Sequence, residues 1–356
     1  MAVKASGNPL SFSEIETEFG QNSDRDLGEY RVSQTVGGLS NQPLDTGIPQ
    51  TGAIKFSDFY SKRLNVVIDY HSGSTENRPD DARTKYQAGS TSGNRTVIGG
   101  FKDRISGNSS GSKVRIHVNK TIGSAVGNVN NCAVRTGSFE TGTVVTVEVG
   151  SSGAIYGAGG NGGEAGTSDG DKDGDNGGSG SSGLGVQFSG TTVINNGVIS
   201  AGYGGGGGGG YRKVEREEMF SGPVYAASGG GGGGGQGLPA GEGIDGGADG
   251  SATAGGNGGN GGENNQAHGG GGGGGGSNGT GGEGGNNNDG GNGTSSSGGN
   301  GADGTHTGSI ESENNVQGEG GTGGGNGAAI RRTSGITVNI TNNATITGVT
   351  NATGVS

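Results

Sequence analysis

The sequence predicts a mainly β protein whose C-terminal half is built from packed left-handed polyglycine type II helices. A small helical module precedes it, then a β-strand domain, with a short β-solenoid or β-prism base under the helices. Three observations predict this. The chain holds 94 glycines in 356 residues, with uninterrupted runs at Gly204 to Gly210, Gly229 to Gly235 and Gly269 to Gly276. Apolar β-branched residues alternate in several short windows before the glycines begin. A strand-turn-strand phrase recurs on either side of the glycine field.

The glycine field, from about Gly157 to Gly335, admits two readings. A long flexible linker is one. Laterally bonded helices are the other. A polyproline-II-type helix has three residues per turn and no internal hydrogen bonds, so its N–H and C=O groups point outward and need partners. Where the facing positions lack side chains, two such helices approach closely enough to bond. Collagen is excluded, since there is no strict triplet repeat and only 6 prolines. Non-repetitive inserts separate the runs, as turns between packed rods require. Leu, Ile, Val and Phe together make up under a fifth of the chain, too little for a conventional core throughout. Ordering so much glycine is entropically costly, so dense backbone hydrogen bonding must supply the order.

Taken in chain order, residues 1–63 form the first domain. Leu10 to Gly20 reads as a short helix with Ser11 and Glu14 as a capping box. Phe12, Ile15 and Phe19 share one face, and Gly20 stands at the stop. Ile54 to Arg63 repeats the design with Phe56, Phe59 and Tyr60. The two segments either clasp each other as a mini-core or dock on a partner. Residues 64–156 form the second domain, with strands around Leu64 to Tyr70, Lys113 to Val118 and Val144 to Val149 and a long polar loop from Ser72 to Arg95. Residues 157–356 form the third. Val147 to Gly157, Val193 to Gly202 and Ile340 to Gly348 share one pattern, with Asn195-Asn196-Gly197 matching Asn342-Asn343-Ala344. They imply three stacked rungs, with glycine excursions at Gly157 to Gly190 and Gly202 to Gly335.

Chemistry is sparse. The net charge is −11 and no basic stripe stands out, which argues against nucleic acid as a partner. One cysteine, Cys132, excludes an internal disulfide framework. The first residues lack the apolar core of a signal peptide, and no window is long and apolar enough to cross a membrane, so synthesis in a cytoplasm without membrane insertion is expected. Asn339 and Asn343 lie in Asn-x-Thr triplets by chance of composition. The four histidines are scattered, no phosphate loop is present, and no enzyme activity or cofactor is expected. Asp169, Asp171 and Asp173 resemble the start of a calcium loop, but the closing position is Gly180, so a solvated acidic turn competes with a weak metal site.

Contact candidates come from the inserts. Tyr211 to Tyr225 lies between two seven-glycine runs, aromatic at both ends, with Met219 and Phe220 in the middle. Tyr211, Arg212, Met219, Phe220, Tyr225, Asn265, His268 and His306 are the candidate receptor contacts, since loops on a rigid scaffold commonly carry recognition. Capping of the rods is the competing role for the tyrosines.

Two resemblances follow from these residues. SFSEIETEFG and AIKFSDFYSKR, at Ser11 to Gly20 and Ala53 to Arg63, resemble a module at the N-termini of structural proteins of marine and cyanobacterial tailed phages. It implies virion docking through Phe12, Ile15, Phe19, Phe56, Phe59 and Tyr60. The strand-then-glycine pattern at Ala154 to Gly163 and Val193 to Gly210 resembles the tip adhesins of long tail fibres in T-even-like phages. That resemblance implies a virion tail protein, assembled in the host cytoplasm, whose partners are other fibre or baseplate proteins and a host surface receptor, protein or glycan. A purely architectural baseplate or decoration protein and an ice-binding protein are the alternatives. The charged insert at Arg212 to Glu218 breaks the flat face that the last would need.

Overall fold

The computed structural model describes residues 3–19, 27, 31–32, 42–43, 48–49, 51–62, 65–70, 91–92, 95–99, 113–137, 139, 141–169, 171–215, 223–306 and 315–355. Among the described residues the chain is mainly β, with one short α-helix, α1 (Phe12–Phe19), and several small sheets.

The N-terminal module folds as its caps dictate. The Glu14 carboxylate accepts the Ser11 N–H at 2.8 Å and the Ser11 hydroxyl accepts the Glu14 N–H at 3.3 Å, a reciprocal capping box. Lys4 pairs with the same carboxylate. The second segment is shorter than expected: a 3-10 turn at Phe56–Phe59, with Asp58 accepting the Lys55 N–H at 2.7 Å. Ile15 and Phe59 are wholly buried, and with Val3 and Ile48 they belong to the same apolar cluster as the strands that follow.

Strands β1 (Arg31–Val32) and β2 (Gln42–Pro43) form a small antiparallel pair. Then come β3 (Asn65–Tyr70), β4 (Thr91–Ser92), β5 (Arg95–Gly99), β6 (Lys113–Val118), β7 (Thr121–Ile122), β8 (Cys132–Arg135), β9 (Val144–Val149), β10 (Ala154–Tyr156), β11 (Ser182–Val186), β12 (Thr191–Asn195) and β13 (Val198–Ser200). Of the expected loop from Ser72 to Arg95, only Thr91, Ser92 and Arg95 are among the described residues, and all three are in strands. Past most of the glycine field lie β20 (Ile330–Arg332), β21 (Val338–Asn342), β22 (Thr345–Thr347) and β23 (Ala352–Thr353); β14 to β19 lie within it.

From β6 onward the chain visits three sheets in turn, its strands within each running parallel, and β3, β5 and β4 extend the first beyond β6 with β5 antiparallel. β6, β9, β12 and β21 lie side by side in the first; β7, β10, β13 and β22 in the second; β8, β11, β20 and β23 in the third. Register puts like residues above one another. Ile116, Val147, Val193 and Ile340 form one column, and Ile122, Ile155, Ile199 and Ile346 another. Val134, Leu184 and Ile330 form a third. Except for Ile340, which is 39% exposed, these columns meet in the apolar core, each fully buried aliphatic side chain contributing ~1.5–3 kcal/mol. The recurrent asparagines stack as well. Buried Asn195 donates to the Asn342 side-chain oxygen at 2.8 Å, and Asn343 donates to that of Asn196 at 2.9 Å. β6 to β8 add a layer below the three repeats read from the sequence, so the sheets join residues on both sides of position 157.

The glycine excursions return earlier than expected, at Ser182 and Ile330 rather than beyond Gly190 and Gly335. Ser182 to Val186 is a strand despite two glycines because its neighbours leave no room. A Cβ on Gly185 would meet the Cys132 Sγ at 2.8 Å.

Within the glycine field the backbone runs out and back and bonds sideways. The run 203–211 shows the rule. Gly205, Gly208 and Tyr211 donate to Gly178, Asp175 and Lys172. Gly206 and Gly209 donate to Gly233 and Gly230, and Gly207 and Gly210 to Gly299 and Ala302. Its carbonyls accept from Gly160, Gly163 and Gly166, from Gly270, Gly273 and Gly276, and from Gly318, Gly321 and Gly324. Partners change with a period of three, and each lies on another run. Added Cβ atoms at Gly204 to Gly210 would sit 1.8–2.2 Å from a neighbour's carbonyl oxygen, so only glycine permits this spacing.

Outer runs carry Asn or Asp where a neighbour would otherwise be missing. Asn257 and Asn260 accept the N–H groups of Thr280 and Glu283 at 3.0 and 2.8 Å. Asp173 and Asn176 accept those of Glu319 and Thr322, both at 2.8 Å. Asn300 and Asp303 accept those of Gly323 and Gly320, both at 2.9 Å. These amides and carboxylates replace a backbone carbonyl at the lattice rim.

Candidate functional site

The glycine runs end in inserts that gather at one extremity, away from the sheets that β13 and β20 join. β14 (Arg212–Glu215) and β15 (Val224–Ala227) form an antiparallel hairpin, and β19 (Val316–Gln317) pairs with β14. β16 (Glu263–Asn264), β17 (Ala267–His268) and β18 (Thr305–His306) form a second three-stranded sheet. Alternation along β14 turns Arg212 and Val214 inward and leaves Lys213 and Glu215 half-buried, bridged at 2.7 Å. Val214, Ala227 and Ala267 make the small apolar centre, with Tyr225 packed against it.

Arg212 lies at the polar end of that centre, 4% exposed. Its guanidinium donates to the Gln317 side-chain oxygen at 3.3 Å and lies 3.1 Å from the His306 Nδ1. Its Nε is buried without a hydrogen-bond partner. Burial pulls the Arg212 pKa down, and burial, then Arg212 and His268, pull that of His306 down. His268 is also buried, its Nδ1 3.4 Å from a Glu263 carboxylate oxygen.

Three expected contact residues are buried in the free chain. Tyr211, Arg212 and His268 are all inside the tip. Tyr211 closes a glycine run, with the Lys172 ammonium 5.0 Å from its ring centroid. Arg212 and His268 fall on the inward face of their strands. Asn265 is exposed in the β16–β17 turn with φ 46°, while Tyr225 and His306 are half-buried. Met219 and Phe220 lie outside the described residues. Val224, 52% exposed, and Gln317 are surface residues that the sequence reading missed. The strand alternation of Val224 with Tyr225 was the available signal.

Asp169, Asp171 and Asp173 do not converge on a metal. Asp173 accepts the Glu319 N–H, Asp171 accepts the Asp173 N–H at 3.3 Å, and the Lys172 ammonium takes the carbonyls of Thr167 and Ser168. No group of three or more metal-ligating side chains occurs among the described residues. No helix among them is long and apolar enough to cross a membrane.

At the N-terminus the docking candidates divide. Ile15 and Phe59 are core residues, which corrects their expected place on a docking face: the two segments bury them within the chain. Phe56 is 39% exposed and packs edge-on against half-buried Phe12, ring centroids 5.9 Å apart. Tyr60 donates its hydroxyl to the Asn8 carbonyl at 2.7 Å. The Phe19 side chain lies outside the described residues.

A family model described as phage tail fibre adhesin Gp38 matches residues 84–267, more than half of the chain. The chain belongs to the Gp38 tail fibre adhesin family. The match takes in strands β4 to β16 and the glycine runs between them, and ends within β17. Membership makes this Gp38-family protein a component of the phage tail. A solved structure, the gp37-gp38 adhesin tip complex of the long tail fibre of bacteriophage S16, aligns over 98% of this chain and 99% of that one. The identity is 17% and the TM-score 0.32. No curated protein matches the chain.

Proposed function

We propose that this adhesin binds a host cell-surface receptor through the two small sheets and their turns, and that it acts by binding alone, without catalysis. The observation that carries the proposal is the convergence of the sheets β15-β14-β19 and β16-β17-β18 on one extremity of the laterally bonded glycine runs. The runs between are polyglycine type II helices, a reading supported by the three-residue period of their bonding and by partners that always lie on other runs. The parallel sheets below act as a three-faced β-solenoid base, supported by their in-register columns. Together they hold the tip rigidly, which favours affinity by removing the ordering cost of a flexible loop.

In this reading residues 1–63 attach the chain to other fibre or baseplate proteins, with the exposed Phe56 edge beside Phe12 as the contact. The protein assembles in the host cytoplasm and takes its place in the tail. The receptor is a protein or a glycan of the host envelope. The test replaces residues 216–222 with a Gly-Ser stretch and combines this with Asn265→Asp. Adsorption to host cells is expected to be lost while the unfolding temperature is kept. Undiminished adsorption with both changes in place refutes the assignment of the tip.

A further inference from the structure

Arg212 carries a full charge in a nearly closed site, yet its two hydrogen-bond partners are a neutral amide and an imidazole. No salt bridge reaches it among the described residues. Buried cations are normally paired, because stripping a guanidinium of water costs several kcal/mol that a neutral acceptor repays poorly. The charges nearby are themselves engaged elsewhere: Lys213 with Glu215, and Glu263 with His268. Of the two partners of the guanidinium, Gln317 is exposed on an outer strand and His306 is half-buried.

We propose that Arg212 and His306 form an anion-binding subsite, entered by displacing the Gln317 side chain, that takes one phosphate or carboxylate group of an acidic surface saccharide. The guanidinium offers a planar fork suited to two oxygens of an oxyanion. Swinging Gln317 aside frees the donor that now meets its amide oxygen. His306, beside it, adds a second N–H once an anion is present to favour the imidazolium. The net charge of −11 discourages general attraction of polyanions, so recognition rests on this single contact. Exposed Asn264 and Asn265 lie on the neighbouring turn and offer amides to the hydroxyl groups of a sugar, beside the exposed Glu263 carboxylate.

The inference rests on the tip being the receptor-binding surface, and the two can fail separately. Isothermal titration of the full chain uses inorganic phosphate, glucuronate and, as a neutral control, glucose. One saturable site is expected for phosphate or for glucuronate, and the tighter of the two names the source. Arg212→Gln is expected to weaken it at least tenfold and His306→Gln several-fold, with glucose silent throughout. If Arg212→Gln disturbs the tip, His306→Gln with unchanged amide protection in the glycine runs supplies the comparison. Absence of saturable binding by both anions, or binding unchanged in His306→Gln, overturns the subsite. Loss of adsorption on tip replacement alongside that result would leave the tip assignment standing.

Discussion

A methyl group placed at position 208 should separate two runs of the shaft. A Cβ there would sit 1.8 Å from the Glu164 carbonyl oxygen and 2.6 Å from its carbon. Carbon and carbonyl oxygen approach no closer than about 3.3 Å, so the runs 157–166 and 203–211 must part by ~1.5 Å. The bonds from Gly163 to Gly206 and from Gly166 to Gly209, now 2.8 and 2.9 Å, would open beyond hydrogen-bonding range. Each lost bond leaves buried groups unpaired at ~1–3 kcal/mol, or ~2–6 kcal/mol for the pair. Reduced freedom of the unfolded chain returns only ~0.4–1 kcal/mol. Gly208→Ala should therefore lower the unfolding temperature by several degrees and speed amide exchange at Gly163 and Gly166. Gly325→Ala is the matched control, since its Cβ meets nothing within 4 Å. It should be neutral or stabilising by about 0.4–1 kcal/mol. Equal melting of the two variants, with slow exchange kept at Gly163, would refute the lateral-bonding account.

Three further outcomes are expected. Asn257→Leu with Asn260→Leu removes the acceptors for the Thr280 and Glu283 N–H groups and should cost ~1–3 kcal/mol in denaturant unfolding, with faster exchange at those two amides. Phe59→Ala should destabilise the N-terminal module by ~3–5 kcal/mol, whereas Phe56→Ala should leave its melting intact and weaken incorporation into fibres, measured by sedimentation of assembled particles. Glu14 is held at about 2 by Lys4 first and then by the Ser11 cap, against an ordinary value of 4.5. Its folded pKa is depressed, so the stabilisation is present above pH 4.5 and lost as the pH falls through 2, and helix content of the module followed by circular dichroism should decline over that window.

The strands of the base were legible because β-branched residues alternate there and because Asn-Asn turns recur at matching places. Register in the structure sets Val193 beside Val147 and Ile340, the same positions the repeat aligns. Ser182–Val186 and Ile330–Arg332 were not legible. One is glycine-rich and the other carries two arginines, and only packing against β8 and against each other makes them strands. The role of rim asparagines was hidden for a related reason. An Asn beside glycine reads as a turn former, and its function as an acceptor depends on a neighbour some twenty residues away, as between Asn257 and Thr280. At the tip the sequence marked the inserts but not which of their side chains are buried. A charged or aromatic residue next to a glycine run suggests exposure, and it took strand pairing with β19 and β18 to put Arg212 and His268 inside.

The second glycine excursion leaves the base after β13 at Ala201 and rejoins it at β20, in another of the three sheets, through Ala328 and Ala329. Tension applied at the far inserts therefore arrives at the anchor spread over many adjacent rods, loading their cross-links in shear along the axis. A pull on the far inserts would strain the whole set of rods at once, and lengthening or shortening any one insert would leave that mechanical path unchanged.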